Sequence, residues 1–422
     1  MKTQRPVSEW SGAAQTFLRS SEKKQKEREE ERMPSCFTFS LFFQTLATQI
    51  VFSHSYISES KLQFGESWSK KFCNWQNKIS FPEKTGTTSP NVIIGMATGS
   101  SYTFDKLVPF CKSARSSGFH GSVILGVTKL AGRNEKKRKK MFEKFNITGV
   151  YLTGLKGNEW GQSTCRYHAY LKIIRHFASE GDSILISDVR DVFFQADPFT
   201  SFPAGAVNFL NTTTSLLLFS EGLNDITEQQ AILRNTRANF RWILNIYGHK
   251  KSKLIAGNAV LCSGTTIGTR SGMLYYTRAM LYEAYLCIAR NPKKVDGKRG
   301  HVCAGGADQG FHNYLFWNNM LNASVVLLNA EGPVYTIGVF RGKPVRSLNF
   351  ERNIEGDVIS PSQRGVQYVV PVIHQWDRHA DLLKHVFDKF DLVSEGVSKQ
   401  TFSSHLLEGS FSSKVTKTSR GL

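Results

Sequence analysis

No CxxC pair and no regular cysteine spacing occur in this 422-residue sequence, although it holds seven cysteines. That excludes a zinc module built on paired cysteines and a disulfide-dense scaffold, while leaving room for one or two bridges. An odd count in an oxidising compartment leaves at least one free thiol. Acidic residues are scarce: 34 Asp and Glu against 54 Lys and Arg give a net charge of +20. Such an excess points to an anionic partner, whether nucleic acid, a membrane surface or a phosphorylated small molecule. Nucleic acid is disfavoured, because the basic run "KKRKK", Lys136 to Lys140, has no interleaved aromatic residue and no accompanying nucleic-acid motif. It reads instead as the exposed face of a short helix. Also absent is the glycine-rich, basic phosphate signature expected early in a nucleotidyltransferase, for none follows "NVIIGMATG".

Apolar residues make up 40% of the chain, enough for a substantial core in one large domain or two. The first 35 residues end in a dense mixture of charges and read as a solvated tail. The uncharged stretch from Cys36 to Phe52, seventeen residues, is at the short limit for crossing a bilayer. With its basic flank it reads as the signal anchor of a Golgi or ER type II membrane protein. A buried amphipathic helix and a cleaved secretory signal are the alternatives. Residues 53–90 read as a stem, 91–398 as the catalytic domain and 399–422 as a serine- and threonine-rich disordered tail.

Apolar runs and helical patterns alternate from "NVIIGMATG" onward, through "GSVILGVTKL", "GVYLTG" and "SILIS", with helical patterns between them. That alternation predicts an α/β domain built on a mostly parallel sheet, with "SILIS" as a central strand buried on both faces. In such a sheet the ligand crevice lies beyond the carboxyl ends of the strands. "SILIS" runs directly into Asp188 and Asp191. Two carboxylates turned toward one point repel unless a cation or a shared proton neutralises them, and hard Mg²⁺ or Mn²⁺ suits oxygen ligands. Capping and pairing with Arg190 are the plain structural alternative. Further on, Asp308 and Gln309 open an aromatic helix after a glycine-rich loop, and His374 ends the β-branched run "VVPVIH". Glu221, after "LLLFS", is a second candidate acid.

A strand ending in Asp-x-x-Asp, a "LCSGTTIG" loop, an Asp-Gln segment and a late strand ending in histidine resemble, in that order, the glycosyltransferases of the GT-A fold. Within that fold the run "DVRDVFFQADPF" is similar to the Asp-x-x-Asp form of the procollagen-modifying glycosyltransferases and to a little-characterised set of nucleotide-diphospho-sugar transferases. The resemblance covers roughly residues 91–389. It implies a single GT-A domain, Rossmann-like with a mixed, mostly parallel sheet flanked by helices, that transfers a sugar from a nucleotide-sugar to an acceptor hydroxyl with Mn²⁺ or Mg²⁺. By that resemblance Asp188, Asp191 and His374 are the metal ligands. Gly264 and Thr265 lie under the donor sugar, Arg166 and Tyr167 stand near the nucleotide, and Asp308 and Gln309 meet the donor sugar or the acceptor hydroxyl as the catalytic pair. Arg190 stands where the commoner Asp-x-Asp motif has its second aspartate, so Asp191 is a ligand only by the rarer spacing. Arg190 then contacts a phosphate, or packs against Asp197 or another acid. A nucleotidyltransferase and a non-catalytic nucleotide-sugar or glycan-binding protein are the competing readings. Three Asn-x-Ser/Thr sequons, at Asn146, Asn211 and Asn322, permit N-glycosylation of a luminal domain.

Overall fold

The structure, a computed structural model, describes residues 57–73, 79–82, 90–99, 102–152, 165–200, 210, 214–221, 233–235, 237–291, 303, 306–328, 332–337, 351–360, 367–398 and 402. All of them belong to one compact unit, Ser55–Leu422. In chain order its elements are α1 (Glu59–Phe72), β1 (Ile79–Ser80), β2 (Asn91–Ala97), α2 (Phe104–Ser116), β3 (Ser122–Val127), α3 (Gly132–Lys144), β4 (Ile147–Leu152), α4 (Arg166–Phe177), β5 (Ser183–Ser187), β6 (Val192–Phe194) and β7 (Leu216–Ser220). They continue with α5 (Arg237–Ile255), β8 (Leu261–Thr269), α6 (Arg270–Arg290), α7 (Ala307–Trp317), β9 (Ser324–Leu327), β10 (Val334–Thr336), β11 (Val372–His374) and α8 (Ala380–Lys389).

Eight strands form one sheet in the order β1-β4-β3-β2-β5-β8-β7-β9. Strands β4, β3, β2 and β5 run parallel, whereas β8 is antiparallel to both β5 and β7. This is the mixed, mostly parallel sheet flanked by helices that the sequence leads one to expect. Burial on both faces explains why strands such as β2, β5 and β7 are largely apolar along their length. Along β2, Val92, Ile94 and Met96 enter one core and Ile93 and Ala97 the other. The first core is closed by α1, α4, α6 and α7, the second by α2, α3, α8 and a small sheet of order β10-β11-β6. The "SILIS" strand, β5, lies centrally between β2 and β8 with all five residues buried.

Several expectations change. The "LCSGTTIG" segment is not a loop but most of β8, a nine-residue strand with eight buried positions. Its small and β-branched residues fit a strand threaded between two others, which composition alone does not reveal. Lys136, Lys137, Lys139 and Lys140 are exposed on α3, but Arg138 is wholly buried. The helical period turns it inward with Glu135, whose carboxylate and the Thr128 carbonyl accept its hydrogen bonds. Within 53–90 the structure has helix α1, packed on α6 through residues such as Phe64 and Tyr285, whose ring centroids are 4.7 Å apart. Two disulfides are present, Cys73–Cys165 and Cys287–Cys303, while Cys111 and Cys262 are buried thiols. Asn146 and Asn322 are exposed, and Asn211 lies outside the described residues.

The expectation of a Golgi or ER type II membrane protein with a signal anchor is overturned: among the described residues no helix is long and apolar enough to cross a membrane. Residues 36–52, on which the anchor reading fell, lie outside the described residues, as do 1–35 and most of 399–422.

Candidate active site

Strand β5 ends on two carboxylates because the chain leaves the large sheet there and enters the small one. One residue past the strand, the Asp188 N–H still donates to the Gly264 carbonyl of β8 at 2.6 Å. Val189 is buried, and by Val192 the chain pairs with β11, in the register Val192↔His374. Asp191 closes this corner, its carbonyl accepting from the Gln375 N–H at 2.6 Å. The switch between sheets thus sets Asp188, Asp191 and His374 around one point at the carboxyl end of β5, where a crevice is expected.

The ligand atoms of those three side chains lie within 4.8 Å of one another. His374 Nε2 is 3.7 Å from Asp188 Oδ2 and 3.9 Å from Asp191 Oδ1. The imidazole is fixed from behind, where its Nδ1 meets Cys262 Sγ at 3.3 Å and Thr336 Oγ1 at 3.4 Å. Its Nε2 is buried and has no hydrogen-bond partner among the described residues. Buried polar atoms are rarely left so. A divalent cation sits about 2–2.5 Å from its oxygen ligands, so donors spaced like these can share one. Gly264 keeps the floor open, for a Cβ there would fall 2.5 Å from His374 Cε1 and 2.8 Å from Asp188 Oδ2. The donor set therefore fits a hard divalent cation. Burial by itself would raise the Asp188 carboxyl; Arg166 and His374 outweigh it and hold Asp188 well below the ordinary carboxylate range.

Arg166, the first residue of α4, joins the corner to α7. Its Nη1 donates to Asp188 Oδ1 at 2.8 Å and its Nη2 to Asp308 Oδ2. Burial still raises the Asp308 carboxyl, with Arg166 opposing. Gly306, at φ 82°, starts α7 in the left-handed region with its would-be Cβ position against the Trp242 ring, which suits only glycine. The next turn clamps β8. Gln309 Oε1 accepts from the Ser263 N–H at 2.7 Å while its Nε2 donates to Glu221 Oε1 at 2.9 Å. Asn313, one turn on, accepts from the Leu261 N–H and donates to the Leu261 carbonyl, both at 2.8 Å. Thr265 is buried in β8, paired in register with Ser187. Arg190 turns to Asp191, with Nη2 at 3.3 Å from Oδ2, and to Asp377, with Nε at 3.6 Å from Oδ2. Asp197 instead accepts from the Phe199 N–H, so it is another acid, Asp377, that Arg190 meets.

The structure thus gathers Asp188, Asp191, His374, Arg166, Gly264 and Asp308 at one corner, with Gln309 and Thr265 behind it. Sequence reasoning missed Tyr102, Cys262, Thr336 and Asn313, and it notes Asp377 just beyond His374 without giving it a role. Tyr102 follows β2 at the same carboxyl edge, and burial, then the Asp188 charge, pushes its phenol up to about 12. The crevice rule that found Asp188 applies equally to the loop after β2. Asn313 stands one helical turn from Gln309, which the period of an amphipathic helix exposes.

A scan against protein-family models finds no match, and a search of curated proteins finds none. Solved structures similar to the chain include glycosyltransferases. The galactosyltransferase LgtC, in complex with donor and acceptor sugar analogs, gives a TM-score of 0.39 at 13% identity, over 73% of this chain and 96% of that one. GlyE of Streptococcus pneumoniae gives 0.39 at 13% identity, over 74% and 64%. The bifunctional WbbM gives 0.40 at 9% identity, over 75% and 53%. The chain spans less than two thirds of GlyE and about half of WbbM. At these TM-scores the likeness assigns no residue a role, and the roles below rest on the site itself.

Proposed function

We propose that the chain is a metal-dependent glycosyltransferase, moving a sugar from a nucleotide-diphosphate sugar to an acceptor hydroxyl. The observation that carries this reading is the convergence of Asp188, Asp191 and His374 Nε2, which has no hydrogen-bond partner among the described residues, at the carboxyl end of a central strand. When bound, Mn²⁺ or Mg²⁺ would neutralise the negative charge that develops on a departing diphosphate. The residues of the chain do the rest. Arg166 keeps Asp188 ionised and brings Asp308 to the same crevice, where Asp308 is the candidate group for the donor sugar or acceptor hydroxyl. Gln309 has both ends of its amide engaged, which supports a part in holding Ser263 and Gly264 in place under the donor. Arg166 and Arg190 offer positive charge to the diphosphate, and Gly264 forms the floor beneath the donor sugar with Thr265 buried behind it.

The test is release of nucleoside diphosphate by the full chain from a panel of UDP- and GDP-sugars, with Mn²⁺ or Mg²⁺ and with EDTA. Metal-dependent release with one donor is the expected result. Donor binding without release would favour a non-catalytic binding protein, and release unaffected by EDTA would remove the metal from the mechanism.

A further inference from the structure

We infer that Asp377 is a positioning residue that keeps Arg190 on one oxygen of Asp191, Oδ2, so that the arginine inserted between the two aspartates does not itself fill the cation site. The inference rests on the metal reading above. It starts from a conflict in the sequence: a permanently charged guanidinium lies between two carboxylates that are to share a divalent ion. An arginine facing both oxygens of Asp191 would make a bidentate pair and compete directly with that ion.

The geometry avoids this. Asp191 divides its two oxygens. Oδ1 faces His374 Nε2 at 3.9 Å, while Oδ2 faces Arg190 Nη2 at 3.3 Å and Arg378 Nη2 at 3.8 Å. Arg190 is held in that one-sided pose by a second acid, since its Nε lies 3.6 Å from Asp377 Oδ2. Asp377 belongs to the short 3-10 turn Trp376–Arg378 that follows β11. Its side chain is 1% exposed, and neither carboxylate oxygen makes a hydrogen bond among the described residues. Burying a carboxylate without hydrogen bonds is costly unless a nearby charge compensates. The compensating charge is Arg190, and what Asp377 obtains in return is the direction in which that guanidinium points. The strand that delivers His374 to the ion thus also delivers, three residues later, the acid that diverts the competing arginine.

The test is Mn²⁺ titration of the full chain, read as loss of the free-ion paramagnetic resonance signal, with a melting curve of each variant in EDTA. Asp377→Asn frees Arg190 to cover both Asp191 oxygens, and should weaken Mn²⁺ binding about tenfold. Arg190→Gln removes the competitor and should tighten binding several-fold. The double variant should bind at least as tightly as the wild type, a rescue that a merely structural Asp377 would not show. Should Asp377→Asn fail to fold, the gain in Arg190→Gln carries the test, because lost structure does not tighten a site. Weaker binding in Arg190→Gln, or a double variant as weak as Asp377→Asn, would overturn the inference while leaving the metal site standing. A folded wild type that takes up no Mn²⁺ would instead remove the metal reading, and this inference with it.

Discussion

Two neighbouring stretches at the start of strand β8 treat the polar groups beside them in opposite ways. At Leu261 and Ser263 the Asn313 and Gln309 amides of α7 complete the backbone hydrogen bonds at 2.7 to 2.8 Å. One residue on, beside Gly264, the buried His374 Nε2 faces two carboxylates with no hydrogen-bond partner among the described residues. A finished network is a scaffold, whereas donors that converge without satisfying one another are a binding site. Arg166 belongs to both, since one arm of its guanidinium holds Asp188 and the other Asp308.

That contrast has consequences for stability and for ion binding, and substitutions separate them. The largest effect is expected at the bridge. Arg166→Met leaves Asp308 uncompensated and Asp188 with His374 alone, and should cost about 3–5 kcal/mol of stability, read by chemical denaturation in EDTA. At the cation corner, His374→Gln should weaken Mn²⁺ binding by about 100-fold or more while changing the melting temperature little. Equal losses of stability there and at Arg166 would erase the distinction. At the scaffold end, Asn313→Leu strands the Leu261 N–H and carbonyl and should cost about 1–3 kcal/mol, with Mn²⁺ affinity in the folded protein unchanged.

The last effect is one of pH. Burial, with Arg166 adding to it, holds His312 down to about 3, and its Nδ1 contacts the Tyr276 hydroxyl at 2.8 Å. The folded state keeps this ring neutral while the unfolded chain takes up its proton near pH 6.5. Its contribution is therefore full above about 6.5 and is lost as pH falls toward 3, at about 1.4 kcal/mol per pH unit. His312→Gln should remove that part of the slope when unfolding free energies are compared between pH 7 and pH 5.

What the sequence made legible follows from range. The alternation of apolar runs and the crevice rule are local or nearly so, and they placed β5, Asp188, Asp191 and the apolar run ending in His374. A helix opening at Asp308 was equally readable from its loop and its aromatic period. The bonds that give those residues their meaning are not local. Arg166 meets Asp308 across 142 positions, and Asn313 reaches Leu261 across 52. Arg190 shows the limit most clearly: its place between two aspartates was evident, but the acid that holds it, Asp377, lies on a different sheet's outgoing turn. Strand β8 reads as a loop in the sequence because its glycines and hydroxyl residues look like turn chemistry, and only its place between β5 and β7 makes them a strand.

The central claim, that Asp188, Asp191 and His374 hold the cation through which a nucleotide-sugar is bound, is tested most directly by calorimetry. UDP and GDP would be titrated into the full chain with Mn²⁺ and again with EDTA, using the wild type and Asp188→Ala. Binding of one nucleotide that requires Mn²⁺ and disappears in the variant is the expected result. A folded wild type that binds neither nucleotide, or binds one equally well in EDTA, would contradict the claim.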